Sequence, residues 1–190
     1  MLTPEERAMR DAEREALKAY WRGNRNEPFI LDRHESYYVG DVLFPSAFDH
    51  LRWPLRGLMV GLVNLLPISP LKVPLYRLLG VKIGKGVCIA PGVLIDPLFP
   101  WLIEIEDDCF LGMGCKLFSH EYTATQFRIG RTHIGKDSVI GGYAIIRAGV
   151  TIGSKVTVGF NSYVNRDVPD GETVGGVPAK PLKVRSEGQP

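Results

Sequence analysis

Four histidines are the side chains of this chain best suited to exchanging a proton near neutral pH, because an imidazole ordinarily titrates around pH 6.5. His34 and His50 stand in an N-terminal stretch without a repeating pattern and read as surface or helix-packing residues. His120, within Phe118-Ser119-His120-Glu121-Tyr122-Thr123, and His133 stand near the two ends of one long interruption in an otherwise regular repeat. A neutral imidazole in such a place can act as a general base toward a hydroxyl or an amine. Glu121 beside it reads either as an acid that hydrogen-bonds the ring and fixes its tautomer or as a solvated loop residue. His133 reads as a loop residue, although the far side of an insertion can fold back to a site. The three cysteines, Cys88, Cys109 and Cys115, show no CxxC or Cys/His pairing, so no metal is expected.

The repeat that positions these residues is an apolar side chain returning every six residues. It appears at Ile83, Ile89 and Ile95, again at Ile105, Leu111 and Leu117, and then without slippage from Ile134 through Ile140, Ile146, Ile152 and Val158 to Val164. Six is the period of neither a helix nor an isolated strand, and it marks a solenoid whose short strand-and-turn units bury their apolar faces only by stacking. The next residue is often glycine, as at Gly84, Gly112, Gly135, Gly141, Gly153 and Gly159, where a tight bend would crowd a Cβ. Four places after the apolar residue comes a second inward position that takes small or slim side chains, among them Val87, Cys109, Cys115, Ser138, Ala144 and Ser162. Cys109 and Cys115 therefore read as small hydrophobes of the core.

Two interruptions break the beat. From Ile95 to Ile105 the step is ten, so Pro97-Leu98-Phe99-Pro100 is expected to bulge from the coil. From Leu117 to Ile134 it is seventeen, giving a loop around His120 to His133. A solenoid that resists insertion elsewhere commonly carries function where it admits one. Asp96, just before the first bulge and on the turn corresponding to His120, is placed to contact an acceptor hydroxyl.

The N-terminal region is helical in character. Thr3 before Pro4, Glu5 and Glu6 reads as an N-cap, with a helix running to about Trp21 and stopped by Gly23 and Asn24. The stretch from Asn26 to Pro54 is left unassigned. The apolar run from Leu55 to Leu66 is too short to span a bilayer, which takes roughly 20 residues, and reads as a packed helix. Leu71 to Leu79 reads as a second helix, ended by Gly80 and closing the open end of the first coil. A further reading of residues 51–79 is weak docking at a membrane surface, helped by Arg52, Arg56, Lys72 and Arg77. The organisation expected is an N-terminal helical and irregular region over 1–80, a coil domain over 81–176 and a C-terminal segment and tail over 177–190.

Composition sets outer bounds. A chain of 190 residues with 45% hydrophobic and 23% charged residues is an ordinary globular protein, and a formal net charge of +2 gives no reason to expect nucleic acid as a partner. The charged first residues, Met1 to Arg22, do not form a signal peptide, and the odd cysteine count suits a reducing compartment, so a cytoplasmic location is expected.

The repeat, together with Asn165-Arg166-Asp167-Val168-Pro169 and Gly175-Gly176-Val177-Pro178-Ala179-Lys180-Pro181, resembles the hexapeptide-repeat acyltransferases over roughly Val81 to Lys183. The resemblance implies a mainly β fold, a left-handed parallel β-helix that departs from the usual right-handed crossover. It also implies a homotrimer with sites between subunits and CoA-dependent acyl transfer, most readily of an acetyl group from acetyl-CoA to a hydroxyl or amine. The maltose, galactoside and polysaccharide O-acetyltransferases of that family place their general base in a context like that of His120, which assigns His120 as base. By the same match Gly142 and Phe160 offer backbone to the pantetheine arm of CoA, while Asn165, Arg166, Lys180 and Lys183 approach the arm and its phosphates. Arg147 is a further candidate. Two other readings stay open: a trimeric scaffold without acyl transfer, and a zinc carbonic anhydrase on the same coil, which needs three histidines around its metal.

Overall fold

The computed structural model describes residues 2–23, 27–32, 39–43 and 46–182; His34 and Lys183 lie outside them, as does the side chain of His50. Helix α1 (Pro4–Arg22) begins with a capping box, in which the Glu6 N–H donates to Thr3 Oγ1 at 3.2 Å and Glu6 Oε2 accepts from the Thr3 N–H at 2.6 Å. It ends where the Gly23 N–H donates to the Ala19 carbonyl. The stretch left unassigned by sequence contains strand β1 (Phe29–Asp32), the short helix α2 (Val39–Leu43) and the start of α3 (Ala47–Leu65), which runs through Pro54. Helix α4 (Ser69–Leu78) follows. Among the described residues no helix is long and apolar enough to cross a membrane.

The repeats then wind into stacked triangular coils. The first comprises β2 (Lys82–Ile83), β3 (Cys88–Ile89) and β4 (Leu94–Ile95), and the second β5 (Ile103–Ile105), β6 (Phe110–Leu111) and β7 (Lys116–Leu117). After a hairpin of β8 (His120–Tyr122) and β9 (Gln126–Ile129) come the third coil, β10 (Thr132–Ile134), β11 (Val139–Ile140) and β12 (Ile145–Ile146), and the fourth, β13 (Thr151–Ile152), β14 (Thr157–Val158) and β15 (Tyr163–Val164). Each coil gives one strand to each of three parallel sheets, ordered β13-β10-β5-β2, β14-β11-β6-β3 and β15-β12-β7-β4. Strands β16 (Thr173–Gly175) and β17 (Lys180–Pro181) close the second sheet, β17 turning back antiparallel.

Register explains the beat. Ile134 pairs with Ile105 below and Ile152 above, and Leu117 with Ile95 and Ile146, so every period of sequence becomes a column of buried side chains. Ile89 through Val164 on this beat are buried, as are the slim inward residues Cys109, Cys115, Ser138, Ala144 and Ser162. Burial pushes the Cys115 thiol up to about 12, which leaves it unreactive. Ile83, at the bottom of the stack, is only partly buried.

The glycine after the beat is required by close approach rather than by a bend. A Cβ on Gly141 would sit 2.6 Å from the Val158 carbonyl oxygen of the next coil. The bend falls two residues later, where Tyr143 (φ 58°) and Asn161 (φ 54°) occupy the left-handed region alongside Gly86 and Gly114.

Below the first coil, α3 and α4 satisfy its open edge. Asn64 of α3 imitates a strand, its Nδ2 donating to the Ile95 carbonyl at 3.2 Å and its Oδ1 accepting from the Ile95 N–H at 3.1 Å. From α4, Ser69 Oγ accepts from the Ile89 N–H, the buried Lys72 donates to the Ala90 carbonyl, and Arg77 donates to the carbonyls of Ile83 and Gly84.

The two interruptions turn out to share a core. Phe99 does not project into solvent as a bulge would: it is buried with Leu102 against Leu17 of α1, Leu31 of β1 and Phe127 and Ile129 of β9. The longer insertion is not an irregular loop, since β8 and β9 form a hairpin that β1 extends into a three-stranded antiparallel sheet. The N-terminal region thus clamps the hairpin that carries His120.

Candidate active site

His120 opens β8 directly after the Phe118-Ser119 turn that leaves β7, and Asp96 sits at the end of β4 on the coil beneath. Stacking brings the two together: His120 Nδ1 lies 2.6 Å from Asp96 Oδ2. That oxygen also accepts from the Ser119 N–H, the Ser119 hydroxyl and the His120 N–H, at 2.8, 2.8 and 3.0 Å, while Oδ1 accepts from the Leu98 N–H at 2.8 Å. Asp96 is fully buried. Burial alone would raise its pKa, but the hydrogen bond and charge of His120 and the amides of Ser119 and Leu98 outweigh that and hold the carboxyl below its ordinary value. An ionised carboxylate accepts the proton of Nδ1–H, which leaves Nε2 with the lone pair of the neutral ring.

The imidazole is held from its faces and edges as well, with the Phe99 ring edge-on at 5.9 Å and the Phe127 ring at 5.8 Å. Phe99 further accepts the Ser119 hydroxyl on its carbonyl at 3.1 Å. His120 is the partly exposed member of this group and lines a cleft of about 330 Å³ together with Glu121, Tyr122, Ile145, Arg147 and Tyr163. The cleft lies over the outer face of the β4-β7-β12-β15 sheet, since Ile145 and Tyr163 precede its inward-pointing residues.

Two expectations are corrected here. Asp96 does not reach an acceptor hydroxyl, because it is buried and both of its oxygens are taken. Glu121 does not orient the imidazole; its Oε2 accepts from Arg147 Nε at 2.7 Å, so the orienting acid is Asp96 and Glu121 forms part of the cleft wall. His133 is a strand residue of β10, with Nε2 3.4 Å from Glu106 Oε1, on a different sheet from the one that ends at His120.

The residues expected to hold CoA fall at two places. Gly142 and Phe160 meet at the corner leading into β12 and β15, where a Cβ on Gly142 would be 2.8 Å from the Phe160 ring and Tyr143 packs edge-on to Phe160 at 5.4 Å. Lys180, exposed on β17, pairs with Gly175 above that corner. Asn165 and Arg166 follow β15 at the opposite corner, on the rung above Arg147. One sheet face is thus bordered by the Phe160 corner before its strands and by His120, Arg147 and Asn165 after them. Among the described residues no group of three histidine, cysteine or acidic side chains is placed to hold a metal ion.

The bacterial transferase hexapeptide (six repeats) family matches residues 131–166. YvoF of Bacillus subtilis (strain 168), named as a candidate acetyltransferase, is 33% identical over 133 residues, 70% of this chain and 77% of that protein. The chain belongs to the hexapeptide-repeat acetyltransferases. Its left-handed parallel β-helix is shared by the maltose O-acetyltransferase from Clostridium difficile 630, with a TM-score of 0.59 at 20% identity over 80% of this chain and 92% of that one. A hexapeptide-repeat acetyltransferase from Vibrio cholerae O1 biovar eltor, solved with acetyl coenzyme A, superposes with a TM-score of 0.52 at 24% identity, covering 73% and 89% of the two chains. The orienting role of Asp96 in this acetyltransferase was missed by sequence reasoning. The signal available was its position one residue after a beat, at the step of ten, on the turn beneath His120.

Proposed function

We propose that this acetyltransferase passes the acetyl group of acetyl-CoA to a hydroxyl or amine of a small, sugar-like acceptor, with His120 as the general base. The observation that carries this reading is the 2.6 Å contact between His120 Nδ1 and the buried Asp96 carboxylate, which leaves Nε2 to act. As the acceptor oxygen or nitrogen attacks the thioester carbonyl, its proton passes to Nε2 and the new C–O or C–N bond forms. The tetrahedral intermediate collapses with loss of the C–S bond, and the imidazolium returns the proton to the departing CoA sulfur. Asp96, a positioning residue, stabilises the imidazolium between these steps.

The acetyl-CoA complex of the Vibrio cholerae neighbour supports the donor, and the maltose O-acetyltransferase neighbour supports a hydroxyl acceptor. Gly142 and Phe160 are read as the wall for the pantetheine arm, with Asn165, Arg166, Lys180 and Lys183 toward its polar groups. A homotrimer fits the exposed apolar side chains that Phe110, Val139 and Phe160 present on and beside one flat sheet face. The proposed setting is the cytoplasm.

The test supplies labelled acetyl-CoA with a panel of hydroxyl- and amine-bearing sugars. Transfer of label with matching release of CoA thiol is expected. Tight binding of acetyl-CoA with no transfer to any of them contradicts the reading and leaves a binding scaffold.

A further inference from the structure

Helices α3 and α4 turn one side to the first coil, where Val60, Val63 and Tyr76 join its core, and the other to solvent. The coil-facing side carries the polar groups that satisfy strand edges: Asn64, Ser69, Lys72 and Arg77. The outward side is apolar. Leu55, Leu58, Leu62 and Leu65 recur along α3 at helical spacing, and Leu71 and Leu78 continue the surface on α4. Leu65 and Leu78 are 80% and 82% exposed. Side chains of this kind spread over two adjoining helices form a continuous patch of the sort that marks an interaction surface.

Charge says what kind. From Leu51 to Ile95 the sequence contains no aspartate or glutamate, while Arg52, Arg56, Arg77, Lys82 and Lys85 are all cationic. Arg52 is exposed near the start of the apolar row, and Arg56 lies over the Trp101 ring at 4.9 Å. Lys82 is paired with Glu104 at 3.4 Å, which leaves Arg52 and Arg56 as the cations beside the apolar row. An apolar surface bordered by cations complements a bilayer whose headgroups are anionic, into which such helices lie in the plane without spanning it. The row lies at the first-coil end of the stack, where Asn64 of the same helix pairs with Ile95.

We infer that the outward face of α3 and α4 docks on an anionic lipid bilayer. The apolar side chains enter the boundary between headgroups and acyl chains, and the cations meet the headgroup charge. Docking would hold the coil end-on to the bilayer.

The experiment uses the full chain and sedimented vesicles of phosphatidylcholine, with and without phosphatidylglycerol. Binding to the anionic vesicles at least tenfold stronger than to neutral ones, weakened by salt, is expected. In the double variant Leu58→Asp with Leu62→Asp, both residues being exposed, the fold measured by circular dichroism should persist while vesicle binding falls at least tenfold. Arg52→Glu should weaken binding to anionic vesicles alone. Failure to bind either vesicle, or binding that the double variant leaves intact, overturns the proposal. So does a fall in oligomeric state of the double variant by light scattering, which would assign the face to another copy of the chain.

Discussion

A single oxygen of Asp96 holds both the ring and the backbone of His120: Oδ2 accepts from Nδ1 at 2.6 Å and from the main-chain N–H at 3.0 Å, with the Ser119 hydroxyl and amide as its other donors. The position of the strand end and the tautomer of the imidazole are therefore set together. Neither residue alone defines the site, because the histidine comes from the hairpin insertion and the aspartate from the coil beneath it.

Replacing Asp96 with Asn puts an amide where a carboxylate accepts from four N–H groups and a hydroxyl, so at least one of those donors meets an NH₂ and the ring loses the negative charge that stabilises its imidazolium. Turnover should fall on the order of 10²-fold, with the KM for acetyl-CoA nearly unchanged, read from steady-state thiol release. A variant that lost CoA affinity and turnover equally would give Asp96 a structural role only.

The same carboxylate should leave a mark on acid stability. Its folded-state pKa is depressed, so its stabilisation is present above the unfolded value, about 3.9 for an aspartate, and is lost as pH falls through the lower folded value. Urea midpoints taken from pH 6 downward should show wild type converging on Asp96→Asn below about pH 4. A constant gap throughout that range would mean that Asp96 does not change charge there.

Gly141→Ala should destabilise the coil by about 1–3 kcal/mol, since the added Cβ meets the Val158 carbonyl and the Gly159 and Phe160 backbone on the next coil. Thermal melting reads the effect. Gly171→Ala is a useful contrast: a Cβ there meets nothing within 4 Å, and only its φ of +73° is strained.

Lys180→Ala should weaken CoA binding by about 1–2 kcal/mol, the size of one charge-assisted hydrogen bond, without lowering the melting temperature, because Lys180 is exposed on the last strand. Calorimetric titration with CoA gives the result, and an unchanged affinity would move the phosphate contact elsewhere.

The coil was legible because stacking maps a sequence period directly onto space: Ile105, Ile134 and Ile152 form one column, and a residue six places on begins the next. The hairpin was not. Its third strand, β1, pairs Leu31 with Phe127, a non-local antiparallel contact that no local period announces. Phe99 gave the same difficulty, since a proline-flanked insertion looks like a bulge until α1 and β1 are seen to cover it. At the site, the sequence around His120 points to it as the proposed base, while the neighbouring Glu121 reads either as its orienting acid or as a solvated residue, and the structure pairs Glu121 with Arg147 instead. Adjacency along a strand sends successive side chains in opposite directions, and the acid that reaches the ring comes from the coil below.

Everything proposed for catalysis rests on the proton passing to His120. The direct measurement is steady-state release of CoA thiol with a confirmed acceptor, comparing wild type, His120→Ala and His133→Ala at equal acetyl-CoA occupancy. His120→Ala should bind acetyl-CoA and keep its assembly while losing roughly 10²–10⁴-fold in turnover, and His133→Ala should turn over like wild type. Normal turnover by His120→Ala would contradict the account, and loss of activity in His133→Ala instead would place the base on the sheet of β10.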